Sequence, residues 1–252
     1  MANSSEAAQH GLGVTQRKDA WWLQPVAVAI GLGAFGIYST WAAFQGVNYQ
    51  CTPALHCSYL SPFYSPLLPG WLGLSPAILI LWAPLGFRAT CYYYRKAYYR
   101  AYFLDPPACA VGEINEHRYS GETKFPFLIQ NGHRYFLYLA ILVLCFLWYD
   151  AFLGFSFDGH FGVGVGSLVL LANATLLTGY TFGCHSLRHL IGGRLSSFHG
   201  GSCAMQHQCW KGVTKLNENH MLWAWMSLVM VGFTDFYIRM VASGVFTDLR
   251  LF

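Results

Sequence analysis

Long apolar runs, separated by polar and basic segments, are the feature that most constrains the fold of this chain. Each run is long enough for a helix to cross a hydrocarbon core of roughly 30 Å at about 1.5 Å per residue. Only 10% of the residues are charged, against about 25% in soluble domains. The pattern predicts an all-α, polytopic membrane protein built as a five-helix transmembrane bundle. The predicted spans lie near residues 22–44, 70–91, 133–155, 161–190 and 220–243.

The basic residues predict the orientation of this bundle. With the N-terminus in the cytoplasm, thirteen of the fifteen Lys and Arg residues fall on the inner side, and only Arg239 and Arg250 fall near the outer side. Loops on the cytoplasmic side of a membrane carry such an excess of Lys and Arg. We therefore expect a cytoplasmic N-terminal tail (residues 1–20) and a membrane anchor domain (residues 21–252). The basic residues follow the membrane side and form no patch, so nucleic acid is not an expected partner.

The predicted outer loop, residues 46–69, holds two cysteines with a histidine between them. Disulfides form and persist in oxidising compartments. A disulfide between Cys51 and Cys57 is therefore the primary prediction for this loop. A metal site that also uses His56 is the alternative.

Three other cysteines are expected to be free thiols. Cys203 and Cys209 lie with His207 in the predicted cytoplasmic loop 196–219, where the environment keeps thiols reduced. Their role is not predicted. Cys145 lies in the middle of the third run, where a cysteine usually packs as a small apolar residue.

Two acidic residues lie within the apolar runs. Asp235 and Arg239 are four positions apart in the outer half of the last run, a spacing that predicts an ion pair within one helix. Asp150, near the outer end of the third run, either joins this pair or faces a polar gap. Ionisable residues at such depths usually face the bundle interior.

Cysteine and histidine residues collect at one predicted depth, near the cytoplasmic face. Cys91 and Cys184 lie near the ends of the second and fourth runs, whereas His133 and His220 open the third and the fifth. Taken singly, such a cysteine packs as a small apolar residue and such a histidine bonds a headgroup or a carbonyl. Four helices that offer them at one level predict a shared prosthetic group, because polar residues in a membrane usually face the bundle interior.

The ligand types leave three groups open. Histidine pairs from facing helices suit haem b, and two thiolates with two imidazoles suit a Rieske-type [2Fe-2S] centre. Zinc also accepts two cysteines and two histidines. A redox group buried at one end of a helical bundle favours electron transfer over a structural zinc site.

Eight motifs occur in order between about Gln16 and Leu251 and resemble the single-chain membrane anchor of actinobacterial-type (type F) succinate dehydrogenase, respiratory complex II. They are RATCYYYRKAYYRAYF (88–103), ACAV (108–111), YSGETKFP (119–126), QNGHRYF (130–136), CHSLRH (184–189), GGRL (192–195), LNENHM (216–221) and DFYIRMVASG (235–244). Cys203 and Cys209 depart from the family pattern.

The resemblance implies a role in the respiratory chain and the tricarboxylic acid cycle. The chain would be the third subunit of succinate:quinone oxidoreductase, beneath a flavoprotein that oxidises succinate and an iron–sulfur subunit. It would carry electrons to a quinone, menaquinone or ubiquinone, in the bacterial cytoplasmic membrane. The family is associated with a Rieske-type cluster inside its membrane part, which matches the cysteine and histidine level described above.

The predicted ligands are Cys91 and Cys184 on one iron, with His133 and His220 on the other. The substitutes are His185 and His189 for the histidine pair, and Cys109 for one cysteine. Candidates for the quinone site, expected near the inner interface, are Trp22, Tyr93 and Arg188. Two rival functions remain open: a haem b-binding anchor of a related quinone oxidoreductase, and a cofactor-free membrane scaffold or transporter.

Overall fold

The computed structural model describes residues 11–51, 57–69, 73, 75–113, 123–124, 127–193 and 201–251. The first ten residues of the predicted tail, the start of the second predicted span (70–72) and His56 lie outside the described residues. The regular elements of the described part of the chain are helices, apart from a hairpin of two-residue strands, β1 (Ser156–Phe157) and β2 (His160–Phe161). The prediction of an all-α chain is confirmed at this level.

The chain has eight α-helices among its described residues. They are α1 (Leu23–Gln45), α2 (Pro76–Ala89), α3 (Tyr92–Tyr98), α4 (His133–Leu153), α5 (Val165–Phe182), α6 (His185–Gly192), α7 (Gly201–Glu218) and α8 (His220–Ala242). A π-helical turn, Tyr99–Phe103, follows α3. Two 3-10 turns, Pro62–Tyr64 and Phe127–Gly132, precede α2 and α4.

Four helices are long and apolar enough to cross a membrane: α1, α5, α8, and α4 with the turn before it (Leu128–Leu153). Helix α2 is also apolar, but its 14 residues span only about 21 Å. The chain is therefore a multi-pass membrane protein. The fifth span and the cytoplasmic N-terminus stay predictions.

The fourth predicted span, 161–190, is not one helix. Phe161 belongs to β2, and α5 begins only after the extended N-cap residue Gly164. Helix α5 then ends at Phe182, and α6 starts at His185 after an extended Cys184. The carbonyl of Gly183 accepts a hydrogen bond of 2.7 Å from the side chain of Asn217. This bond satisfies a backbone oxygen at the end of α5, which stabilises the break.

The chain divides into two compact units. The first unit comprises the residues up to Ile37 together with Arg88–Gly132, and the second comprises Tyr38–Phe87 with His133–Phe252. In the first unit, the Tyr102 hydroxyl donates a 2.8 Å hydrogen bond to the Ala29 carbonyl on α1. This bond fixes the π-helical turn to the first membrane helix.

In the second unit, α5 packs against both α4 and α8, and α6 packs against α7. The helices approach closely where α5 has glycine. A Cβ atom at Gly179 would lie 2.8 Å from the Trp223 ring of α8. Small residues at such points let helices in membranes pack tightly. We call the part of this unit that holds His133, Cys184 and His220 the histidine end.

The opposite part of the second unit, the disulfide end, contains the disulfide between Cys51 and Cys57. The disulfide packs against a buried core drawn from the loop after α1, β1 and the helices α4, α5 and α8. Its members are Tyr59, Ala151, Phe157, Leu170, Ala174, Ile238 and Val241. The loop after α1 is thereby part of the helix bundle.

Asp248 fixes the C-terminal segment to the disulfide end. Its carboxylate accepts hydrogen bonds of 2.7 Å from the hydroxyls of Tyr59 and Tyr237, and of 2.9 Å from the backbone N–H of Gly166. Burial, together with the nearby Asp248 carboxylate, raises the pKa of Tyr59 above its ordinary value. The Tyr59 hydroxyl therefore stays protonated and remains a donor at neutral pH.

We expect Asp248→Ala to lower the free energy of unfolding by about 2–4 kcal/mol. Hydrogen bonds to a charged acceptor contribute about 1.5–3 kcal/mol each, but Asp248 is partly exposed, so water compensates for part of the three lost bonds. The thermal midpoint of the purified protein measures the loss. The matched control is Asp158→Asn in the exposed turn between β1 and β2. Equal midpoints for the two variants would contradict the assignment.

Candidate metal centre

His133 and Cys184 meet at the histidine end. His133 is the first residue of α4, and Cys184 is the N-cap residue of α6. Nε2 of His133 lies 3.0 Å from Sγ of Cys184, and the cysteine is 1% exposed. The imidazole also makes a hydrogen bond to the backbone of Phe87. Such a bond on the far side of the ring fixes the orientation of metal-binding histidines.

The two candidate cysteines share one local conformation, although they belong to different units. Cys91 has φ −65° and ψ 129°, and Cys184 has φ −68° and ψ 136°. Each is a buried, extended residue between an apolar helix, α2 or α5, and the first turn of a shorter helix. The Sγ atom of Cys184 accepts the backbone N–H of Ser186 at 3.3 Å. A backbone N–H at the start of α6 therefore points at the sulfur of Cys184.

Two buried aromatic rings, Phe87 and Tyr180, hold two of the candidate histidines. We call them the aromatic pair. Phe87 stacks on His133 with ring centroids 4.7 Å apart and planes within 5°. Tyr180 stacks on His220 at 5.0 Å and 15°. The two aromatic rings then contact each other edge to face, at 5.3 Å and 66°. Both imidazoles are thus fixed by one continuous set of ring contacts.

The aromatic pair was missed by sequence reasoning. Phe87 and Tyr180 lie in apolar runs that contain many other aromatic residues, and nothing local sets them apart. The only available signal was their depth, since each lies within a few residues of a candidate cysteine. Their partners, His133 and His220, are distant in sequence, so the stacking is a property of the tertiary structure.

The substitute histidines are less enclosed than the first choices. His185 and His189 are exposed, whereas His133 and His220 are partly buried. His220 and His185 both lie close enough to His133 for their charges to interact with it. Within the described part of the chain, no three His, Cys, Asp or Glu side chains stand close enough together to hold a metal ion. The centre is therefore a thiol–imidazole contact with further imidazoles nearby.

The first unit contains Cys91 and the substitute Cys109. Cys91 lies beside a bond of 2.5 Å from Nη1 of Arg88 to the hydroxyl of Tyr94. Burial raises the pKa of Tyr94 to about 12, although the Arg88 guanidinium acts in the opposite direction. Cys109 is exposed, and its Sγ lies 3.7 Å from the Arg100 guanidinium. Cys91 is therefore shielded from solvent, whereas Cys109 is accessible to it.

The three quinone candidates fall in both units. Trp22 is 52% exposed just before α1, and the Tyr93 ring contacts the edge of Tyr94 at 5.6 Å. Both belong to the first unit. Arg188 belongs to the second, where its guanidinium lies 4.5 Å from the Trp210 ring and donates to the Thr214 hydroxyl at 3.0 Å. These bonds give Arg188 a role in holding α6 to α7.

The cysteines of α7 are free. Cys203 is partly buried and Cys209 is exposed, and His207 between them stacks on Trp210 with ring centroids 5.8 Å apart. The expected ion pair in α8 is present. Nε of Arg239 lies 2.8 Å from the Asp235 carboxylate.

Comparison with known proteins identifies the family of this chain. A sequence family described as actinobacterial succinate dehydrogenase subunit SdhC matches residues 23–244. No curated protein matches the chain. Among solved structures, the chain is similar to one in the Mycobacterium smegmatis Sdh1 complex in the apo form. The identity is 42%, the match covers 94% of each chain, and the TM-score is 0.84.

Both matches run through nearly the whole chain and include both ends of the second unit. They agree with the resemblance that the eight sequence motifs indicated. As a subunit of an enzyme complex, the chain works together with other succinate dehydrogenase subunits. It therefore belongs to the family of actinobacterial succinate dehydrogenase subunit SdhC and is the membrane anchor subunit of such an enzyme.

Proposed function

We propose that this chain is the electron conduit between the iron–sulfur subunit of the enzyme and a quinone in the bacterial cytoplasmic membrane. We further propose that it holds a Rieske-type [2Fe-2S] centre at the histidine end. The observation that carries the proposal is the partly buried contact between Nε2 of His133 and Sγ of Cys184. It directs a thiol sulfur and an imidazole nitrogen into the same space, next to a second stacked histidine.

The residue types of the candidate ligands fit this group. A Rieske-type centre needs two cysteine sulfurs on one iron and two histidine nitrogens on the other, and when bound it takes up and releases one electron at a time. In the second unit, Cys184, His133 and His220 supply one sulfur and two imidazoles. Cys91 is the fourth ligand on the sequence argument, and its extended N-cap conformation is that of Cys184. His185, His189 and Cys109 are weaker choices because they are exposed.

The chain's own residues prepare this site in two ways. The N-terminus of α6 stabilises the Cys184 thiolate through the N–H of Ser186. The aromatic pair keeps the imidazoles in fixed planes, so that the ring nitrogens need little reordering to bind a metal. Both rings of the pair are at most 3% exposed, and they therefore help to exclude water.

The remaining partners follow from this role. We propose that the iron–sulfur subunit, which carries the flavoprotein, docks on the basic inner segments, including Lys211 and Lys215 of α7. A quinone would enter from the lipid near the same face. Trp22 and Tyr93 stay candidates for its site. Arg188 is a weaker one, because its guanidinium already binds α7.

A cysteine replacement tests the proposal. We expect Cys184→Ala to remove two iron atoms and two acid-labile sulfides from each purified complex, because a thiolate ligand is lost. Chemical iron and sulfide analysis measures the loss, and Cys145→Ala on α4 is the matched control, since Cys145 is an exposed free cysteine. Unchanged iron in Cys184→Ala would refute the ligand role, and a sharp haem α-band in the reduced native complex would favour haem b.

A further inference from the structure

A cavity of about 440 Å³ lies at the disulfide end of the second unit. It has no part in the candidate metal centre. One wall comes from the outer loop and another from the last turns of α4. Its lining consists of Gln50, Cys51, Ser58, Tyr59, Leu60, Pro66, Leu67, Phe146, Tyr149, Asp150 and Leu153. A volume of about 300–1,000 Å³ is typical of sites for small molecules.

Asp150 is an acidic residue in the lining of this cavity. Its side chain is buried, at 8% exposure. Its Oδ2 atom is buried too and meets no described atom within normal hydrogen-bond geometry, although the Ser65 side chain lies near enough to interact with the carboxyl. Most buried polar atoms in proteins have a hydrogen-bond partner, and leaving one without costs about 1–3 kcal/mol. Asp150 does not join the pair of Asp235 and Arg239, which bind each other. The carboxyl is therefore placed to bind a group that enters the cavity.

The cavity is preformed and open toward the lipid side of α4. Tyr59 is held by Asp248, and Cys51 is held by its disulfide. Phe146 and Tyr149 lie three positions apart on α4 and are 38% and 60% exposed. Residues at that spacing share one helix face. A ligand dissolved in the membrane could thus enter between aromatic side chains that suit a flat ring.

We propose that this cavity binds the head of a membrane-soluble quinol, whose ring hydroxyl donates a hydrogen bond to Oδ2 of Asp150. A carboxyl oxygen accepts such a bond whether or not the group carries a proton. The inference uses the proposed function only for the chemical class of the ligand. The site is separate from the candidate metal centre, and no electron transfer is assigned to it.

Equilibrium binding to the purified complex tests this site. The probe is a radiolabelled benzohydroquinone with a ten-carbon tail. We expect Asp150→Leu to bind one equivalent fewer than the native complex, or to bind that equivalent at least tenfold more weakly. Leu153→Trp, which fills the cavity, should have the same effect. Leu142→Trp is the matched control, because Leu142 is an exposed residue of α4 outside the cavity lining.

Two results would overturn the site. One is that Asp150→Leu binds as much labelled quinol as the native complex. The other is that phosphatidylglycerol, but not unlabelled quinol, displaces the labelled quinol from the native complex. The second result would assign the cavity to a lipid headgroup. Asp150→Leu and Leu142→Trp should be purified with the same subunits as the native complex, which verifies assembly. Failure of the proposed metal centre would be detected separately, by the iron and sulfide analysis. It would not change the quinol binding that depends on Asp150.

Discussion

Replacing His133 or His220 by Ala is expected to lower quinone reduction by the assembled enzyme more than about 100-fold. Mutating an outer-shell partner of a metal typically costs 10–100-fold, and a ligand should cost more. Succinate oxidation with an artificial dye should continue, because succinate is expected to react on the flavoprotein. The two activities are measured side by side on the purified complex, together with its electron paramagnetic resonance spectrum.

The matched control for this prediction is His160→Ala, which changes an exposed histidine of β2. It should keep both activities. Loss of both activities in His133→Ala would indicate failed assembly, whereas full retention of quinone reduction would refute the ligand role. Cys184→Ala gives an independent variant of the same site.

Graded changes in the aromatic pair extend the same experiment. In Phe87→Leu the imidazole of His133 loses its stacked ring but keeps its sulfur contact. We expect the cluster signal to shift or broaden while the iron content stays the same, because Phe87 positions the ligand and does not bind metal. Tyr180→Leu should act in the same way through His220. Iron loss in these variants would mean that the rings are needed for cluster retention itself.

Asp235→Ala is expected to cost about 3–5 kcal/mol of stability, because it leaves a buried guanidinium without its counter-charge. Asp235 is fully buried, and Arg239 is 4% exposed. The Asp235 carboxylate also accepts the hydroxyls of Tyr38, at 2.7 Å, and of Ser61. The Arg239 guanidinium donates to the carbonyl of Ala42 at 2.8 Å. The thermal midpoint of the purified protein measures the effect.

The double variant Asp235→Leu with Arg239→Met should be less destabilised than Asp235→Ala, since it removes both charges together. The exposed pair of Arg17 and Asp19 provides the control. Its Nε–Oδ1 distance of 2.8 Å is as short as in the buried pair, but water screens it. Asp19→Ala should therefore have a much smaller effect. If Asp235→Ala and Asp19→Ala lowered the thermal midpoint equally, burial would not determine how much these ion pairs contribute to stability.

The ends of the apolar runs were predictable where the sequence changes character abruptly. Helix α4 begins at His133 and α8 at His220, where polar loops give way to apolar residues. The break before Cys184 was not predictable in this way. The polar segment begins only at His185, after the break, and the break depends on Asn217, a residue more than thirty positions away that binds the released carbonyl. Thus one long helix was expected where α5 and α6 stand.

In the candidate metal centre, too, some features were predictable from the sequence and others depend on how the helices pack. Residue types and depth predicted that cysteine and histidine would collect at one end of the bundle. The sequence does not specify which ring nitrogen faces which sulfur, because that depends on how α4 packs beside the start of α6. The contact of His133 with Cys184 and the stacking of Phe87 are of this kind. Exposure also separates His133 from His185 and His189, which look alike in the sequence.

By itself, the sequence determined the membrane class of the protein, its all-α character and the pairings between near neighbours. The Cys51–Cys57 disulfide and the Asp235–Arg239 pair join residues only six and four positions apart, and local spacing is enough to bring such groups together. Only the tertiary structure decided that Asp150 lies apart from that ion pair and lines a cavity, and that Phe87 and Tyr180 hold the histidines. These contacts join residues distant in sequence, so they exist only once the helices have packed.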